Sequence, residues 1–269
     1  MKKYSTATFL LLIISLIIGS CRKNGDDAIN PLPEPVVYKR VKKLASGPDD
    51  HMIYTYNQQN QVSSYKSTWI YSPDGPVIKT YTLNYEFVNG KIKEGINNGG
   101  TKVVFSYEGY RISTAGFYYP NGNRFATHTY TYNNKNQLTE ITETIMQPEQ
   151  ISEVRALYQY DPNGNLIKIV NQHKRTGTNQ FELISSTIFE AYDTHWNPIP
   201  DHVWGQFLPG LILHKNNPKR IKELLPDGSV KQVLHITYTY RPDGFPSEKV
   251  QYLEINGQDK PAIRYTYDY

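Results

Sequence analysis

Through most of the chain after residue 50, aromatic or aliphatic residues alternate with polar ones at a period of two, the pattern of a strand with one buried face. In Thr129-Tyr130-Thr131-Tyr132 the tyrosines share one face and the threonines the other. The same phrase returns as Tyr54-Thr55-Tyr56, Tyr85-Glu86-Phe87, Phe105-Ser106-Tyr107, Tyr158-Gln159-Tyr160, Tyr238-Thr239-Tyr240 and Tyr265-Thr266-Tyr267. Between clear successive copies the second aromatics lie 25 (Tyr107 to Tyr132), 28 (Tyr132 to Tyr160) and 27 residues apart (Tyr240 to Tyr267). That spacing suits one hairpin per copy.

Turn chemistry supports the hairpins independently. Pro73-Asp74-Gly75, Pro120-Asn121-Gly122, Pro162-Asn163-Gly164, Pro226-Asp227-Gly228 and Pro242-Asp243-Gly244 share one form. Proline presets φ for the first corner of a type I turn, Asp or Asn suits the second, and glycine takes the left-handed position after it. Asn89-Gly90 and Asn256-Gly257 add two tight turns. No stretch after residue 21 keeps a helical period. The expected fold is all-β, an antiparallel β-meander of repeated hairpins with roughly 14 to 18 strands. A large twisted sheet, a half-barrel and a closed barrel all satisfy this pattern.

The N-terminus is different. Lys2 and Lys3, an apolar run from Phe9 to Ile18, and the small pair Gly19-Ser20 make residues 1–20 a secretory signal peptide. The run is about half the ~20 residues a spanning helix needs. Ile18-Gly19-Ser20-Cys21 resembles the lipobox of bacterial lipoproteins, which implies acylation of Cys21, the chain's single cysteine. Residues 21–37 are polar and then proline-stiffened, and are expected to form a lipidated flexible tether. Residues 38–269 are expected to form a single β domain. The acidic pair Asp26-Asp27 leans towards surface exposure on the outer membrane, although Arg22 and Lys23 intervene.

Charge narrows the partners. Without Lys2 and Lys3, 27 of the 29 basic residues remain against 25 acidic ones, a net +2. That is too small and too dispersed for a nucleic-acid footprint. The local cluster Lys39, Arg40, Lys42 and Lys43 suits a solvated strand face or contact with anionic lipid head groups.

Residues 193–212 break the repeat. They hold Trp196 and Trp204, His195 and His202, and Pro198, Pro200 and Pro209. Prolines at that density do not suit a central strand. Long ordered excursions are often functional, so Trp196, Trp204, His195 and His202 are the candidate ligand-binding residues. The alternative is a plug over the open end of the sheet, with the tryptophans as its apolar feet.

The phrase Tyr158-Gln159-Tyr160-Asp161-Pro162-Asn163-Gly164-Asn165-Leu166 resembles the YD repeat of Rhs-type wall and toxin proteins. Tyr192-Asp193 through Asn197-Pro198 to Leu213-His214-Lys215-Asn216-Asn217-Pro218 is similar to a segment of Bacteroidota lipoproteins of unknown function. The likeness implies a β-meander and a cell-envelope location. It brings no catalytic residues.

Catalytic motifs are lacking in the sequence: no Gly-x-Ser-x-Gly, P-loop, Gly-x-Gly-x-x-Gly or His-Glu-x-x-His occurs. The six-residue gap between His195 and His202 matches no standard zinc pair. The expectation is a non-enzyme without metal or cofactor: an outer-membrane-anchored lipoprotein that binds glycan through tyrosine and tryptophan rings. A structural or protein-interaction role in an envelope complex is the alternative, and a glycoside hydrolase ranks last. Tyr265, Tyr267 and Tyr269 look like the last strand of an outer-membrane barrel, but the face opposite the tyrosines carries Thr, Glu, Gln and Lys where lipid would require apolar residues, so the ending reads as a last half-repeat.

Overall fold

The computed structural model describes residues 40–71, 77–146, 151–175 and 177–269. The signal peptide, Cys21, the tether and the Pro73-Asp74-Gly75 turn lie outside the described residues. The first strands are β1 (Lys43–Gly47), β2 (Asp50–Tyr56), β3 (Val62–Tyr71), β4 (Val77–Val88), β5 (Lys91–Asn97) and β6 (Lys102–Glu108). Then follow β7 (Arg111–Tyr118), β8 (Arg124–Tyr132), β9 (Leu138–Met146), β10 (Ile151–Tyr160), β11 (Leu166–Lys174) and β12 (Phe181–Trp196). The last are β13 (His202–Val203), β14 (Gln206–Phe207), β15 (Asn216–Leu224), β16 (Val230–Tyr240), β17 (Pro246–Ile255) and β18 (Gln258–Asp268).

Sixteen strands form one closed antiparallel barrel, and β13 and β14 form a separate two-stranded ribbon. Each barrel strand pairs with its neighbours in the chain, except that β12 pairs with β15 across the β13–β14 excursion. β1 pairs with β18 and closes the ring, which removes the free edges that an open sheet would leave. Among the three sheet forms the sequence left open, the barrel is the one adopted.

The turns follow from sequence. In Pro120-Asn121-Gly122 the Gly122 N–H donates to Tyr119 O at 2.9 Å, and Gly122 has φ +84°. The same bond recurs at Gly164, Gly228 and Gly244. Asn57–Gln61 and Asn133–Gln137 build this turn with asparagine, Asn60 (φ +59°) and Asn136 (φ +64°), in the left-handed position. Asn is the non-glycine residue that tolerates it best.

Beside these turns the ladder slips by one residue at the second aromatic of the repeat, so that Tyr56 faces Val62, Tyr132 faces Leu138 and Tyr160 faces Leu166. This bulge turns the first aliphatic of the returning strand inward. Val62, Ile92, Leu138 and Leu166 are all at 0 % exposure. The second aromatics also stitch hairpin to hairpin: Tyr107 Oη donates to Ile92 O at 2.9 Å and Tyr56 Oη to Val41 O at 2.7 Å.

Residues directly opposite in a ladder share a face, so each row of partners can be followed around the wall. One row runs Tyr85, Gly95, Val103, Phe117, Ala126, Ile145. Another runs Tyr130, Ile141, Ala156, Asn171, Ser185. These rows hold the buried core residues and line the inside. Outward rows read Ser106, Thr114, Thr129, Thr142, Arg155, Gln172 and Thr239, Glu248, Thr266. The outer wall carries ion pairs such as Lys102–Glu94 at 3.2 Å and Arg264–Glu248 at 2.7 Å. Exposed apolar residues lie mostly near strand ends, among them Ile78, Val230 and Val88. A lipid-facing barrel has the opposite arrangement, with an apolar belt outside and a polar lumen.

Gly95 shows how tightly the inner wall is packed. A Cβ there would lie 3.0 Å from the Tyr85 ring and 3.0 Å from Val103 Cγ1. The inner wall is not equally dry all round. Inward residues on β5–β9 are mostly buried, whereas Gln232 and Ile263, at 39 %, remain water-accessible inside β16 and β18.

Candidate functional site

The strand β12 continues to Trp196, so the irregular excursion begins at Asn197 and not at residue 193. Asn197 N still donates to Lys215 O at 3.1 Å, and the ladder stops there, with Pro198 next in the chain. From there the chain folds into the lumen and returns as β15. Val203, Leu208 and Leu213 are buried in the barrel core, with Trp204, Phe207 and Leu211 packed against it. The segment is therefore an internal plug.

The plug's tip is the Trp204-Gly205 turn, with φ of +46° and +74°. Positive φ on a bulky residue is uncommon and costs about 1–2 kcal/mol. The indole offsets this by packing edge-on to His128, with ring centroids 5.2 Å apart. His128 lies on the inner wall, 3 % exposed. Its Nε2 is 3.1 Å from Glu143 Oε1, and the Phe117 ring is 4.3 Å away. Phe207 N donates to Tyr85 Oη at 3.0 Å, which fastens the ribbon to β4. His202 packs against Tyr65 at 5.9 Å. Tyr54, Tyr65, Tyr85, His202 and Phe207 line a small pocket that is partly open to solvent.

At the base of the plug, Asp201 Oδ2 accepts from Leu213 N at 2.7 Å and His214 N at 3.3 Å. Burial outweighs these bonds and raises the carboxyl to about 7. His214 lies half-buried beside it, with Nδ1 2.8 Å from Tyr192 Oη, and desolvation lowers the imidazole to about 4.

His195 and Trp196 sit apart from the plug tip, at the end of β12. The His195 ring stacks on Tyr240 with centroids 3.8 Å apart and planes 18° apart, and Tyr240 stacks in turn on Tyr238 at 6.1 Å. Asp193 Oδ2 accepts from Tyr240 Oη and, at 3.4 Å, from Asn217 Nδ2. Asn217 is fully buried, yet its Oδ1 has no hydrogen-bond partner among the described residues; His195 Nδ1 also lacks one, although Asp193 Oδ2 stands 4.0 Å from it. This rim cluster combines stacked rings, a carboxylate and unused polar atoms. The structure thus separates the four residues singled out from the sequence: Trp204 packs against the core at the plug tip, His202 lies exposed on the ribbon beside Tyr65, and His195 and Trp196 sit together at the end of β12.

Nothing local in the sequence marks the contacts of His128 with Glu143, of Asp201 with Leu213 and His214, or of Tyr240 and Asn217 with Asp193, because each joins residues a dozen or more positions apart. A further cluster, His235, Glu254 and Asp259, lies on the outer wall with ligand atoms close enough to hold a cation. Arg220 already occupies it, with Nη2 3.3 Å from Glu254 and Nε 3.1 Å from His235 Nε2. It is an ion-pair network.

No family model matches the chain, and no curated protein does. Among solved structures it is similar to a porin-like protein from Bacteroides uniformis ATCC 8492, at 16 % identity and TM-score 0.56, covering 86 % of this chain and 98 % of that one. A porin-like protein from Bacteroides vulgatus ATCC 8482 matches at 14 % identity and TM-score 0.50, covering 86 % and 99 %. A Photorhabdus luminescens Tc holotoxin pore matches at 16 % identity and TM-score 0.24, covering 80 % of this chain and 12 % of that one. At these identities the likeness is one of fold: an antiparallel barrel of the kind seen in the porin-like proteins.

Proposed function

We propose that this chain is a non-catalytic cell-envelope lipoprotein, anchored to the outer membrane through acylated Cys21, whose barrel stands in water and binds glycan at the rim cluster of His195, Trp196, Asn217 and Tyr240. The observation that carries this reading is the wall itself, with aromatic rings and a plug inside and threonines and ion pairs outside. Such a wall suits water and not lipid, so attachment to the membrane falls to the lipobox. Two further features support the reading: both porin-like neighbours come from Bacteroides, and Tyr160 through Leu166 resembles a YD repeat.

Sugars present apolar faces to rings and hydroxyls to carboxylates, the groups that Tyr240 and Asp193 bring together, with the buried Asn217 holding Asp193 and Tyr240 in place. Trp204 and His202 then serve to seat the plug. A tryptophan-fluorescence titration against envelope and dietary polysaccharides tests this. A saturable change that survives Trp204→Phe and disappears in Trp196→Phe supports the rim site, and silence across the panel overturns glycan binding.

A protein-interaction role is the second reading. It is favoured by Ile70, Val77 and Ile78, which are 51–55 % exposed on the β3–β4 hairpin. Crosslinking in intact cells that yields only monomer would remove it.

A further inference from the structure

Lys249 lies on the inner wall. Its ladder partners are Tyr238 on β16 and Tyr265 on β18, both lumen-facing. The ammonium sits 4.7 Å from the Tyr265 ring centre, and among the described residues no carboxylate pairs with it. Desolvation alone, with no charged neighbour contributing, lowers it to about 8, so at neutral pH it is a half-buried cation facing the lumen, with a ring face as its contact. A charge drawn partly out of water is stabilised by an anionic partner, and none stands beside this one among the described residues.

The surroundings offer more polar capacity. Tyr267, two residues beyond Tyr265 on the same inward face, has a buried hydroxyl with no partner among the described residues. Gln251 and Ile263, facing inward on the same two strands, are within reach of water. The ring path from Lys249 also continues through Tyr238 and Tyr240 to His195, the rim cluster described above.

We infer that Lys249 and Tyr267 form an anion subsite inside the barrel, and that the glycan bound there carries a carboxylate, as in a uronic-acid sugar. This rests on the glycan reading above and adds the charge of the ligand to it. The ammonium and the phenol hydroxyl would donate to the carboxylate, while Tyr238 and Tyr265 flank the sugar ring.

The test uses the full-length protein in detergent and two probes, an oligogalacturonate and its methyl-esterified neutral form, measured by calorimetry. The acid form is expected to bind and the ester to bind roughly tenfold more weakly or worse, as loss of a charge-assisted bond implies. Lys249→Met should abolish the preference while leaving the unliganded protein at least as heat-stable, because it removes an uncompensated charge. Lys249→Gln serves the same purpose if the methionine variant does not fold. Equal binding of both probes, unchanged in the variants, would leave glycan binding standing and overturn the anion subsite. Binding of neither probe would overturn both.

Discussion

The base of the plug makes a prediction that turns on the opposed titrations of Asp201 and His214. The carboxyl is raised from 3.8 to about 7 by burial. Between about pH 4 and 7 the folded chain therefore holds a proton that the unfolded chain releases, and stability falls as pH rises through that window. The imidazole is lowered from 6.5 to about 4. Between about pH 6.5 and 4 the unfolded chain takes up a proton that the folded chain refuses, so stability falls as pH drops. At about 1.4 kcal/mol per tenfold change in proton affinity, the first effect amounts to about 4 kcal/mol and the second to about 3. In the wild-type protein they largely cancel between pH 4 and 6.5. Asp201→Asn keeps an oxygen to accept from Leu213 and His214 but cannot ionise. It should gain about 3 kcal/mol relative to wild type on going from pH 4 to 6.5, because the His214 slope is unmasked. His214→Gln should show the reverse trend, losing up to about 4 kcal/mol from pH 4 to 7. Urea denaturation at a series of pH values, followed by tyrosine fluorescence, measures each difference. Parallel profiles for wild type and Asp201→Asn would mean that the carboxyl is not enclosed, and the seated plug would have to be abandoned.

Other expectations concern the wall. Gly95→Val places atoms where the Tyr85 ring and Val103 already stand, and should cost about 1–3 kcal/mol by overpacking, seen as a lower urea midpoint. Leu138→Ala, at a fully buried bulge position, should cost about 2–5 kcal/mol in the same assay. Tyr107→Phe removes the bond to Ile92 O and should cost about 1 kcal/mol, whereas Tyr160→Phe removes a hydroxyl without a partner and should be neutral or stabilising in thermal denaturation.

Much of the barrel was legible in the sequence because its rules are local. The Tyr-x-Tyr phrase fixes which face is buried, and Pro-Asn-Gly fixes where Gly122 and Gly164 reverse the chain. Closure was not legible, since the pairing of Lys43 with Asp268 joins residues at opposite ends of the domain and depends on accumulated twist. The bulge that turns Leu138 and Leu166 inward follows from the turn geometry, and a reader of alternation alone would place them by parity. At the excursion, proline density marked a departure from the repeat. It did not mark where β12 ends, because the strand runs on through an irregular stretch in which Tyr192 and Trp196 still find ladder partners in Pro218 and Asn216. Neither Asp201 meeting its partners twelve and thirteen residues on, nor Tyr240 meeting Asp193 across 47 residues, leaves a trace in spacing or composition.

The central claim is that the barrel is turned outward to water, with its rings and plug inside. The most direct measurement is flotation of the Cys21→Ala protein, prepared without detergent, with liposomes in a density gradient. The account predicts a monodisperse protein that stays at the bottom with its tryptophan emission unquenched by brominated lipid. Co-flotation with quenching, or a demand for detergent to remain monomeric, would show an outer wall that faces lipid and would contradict it.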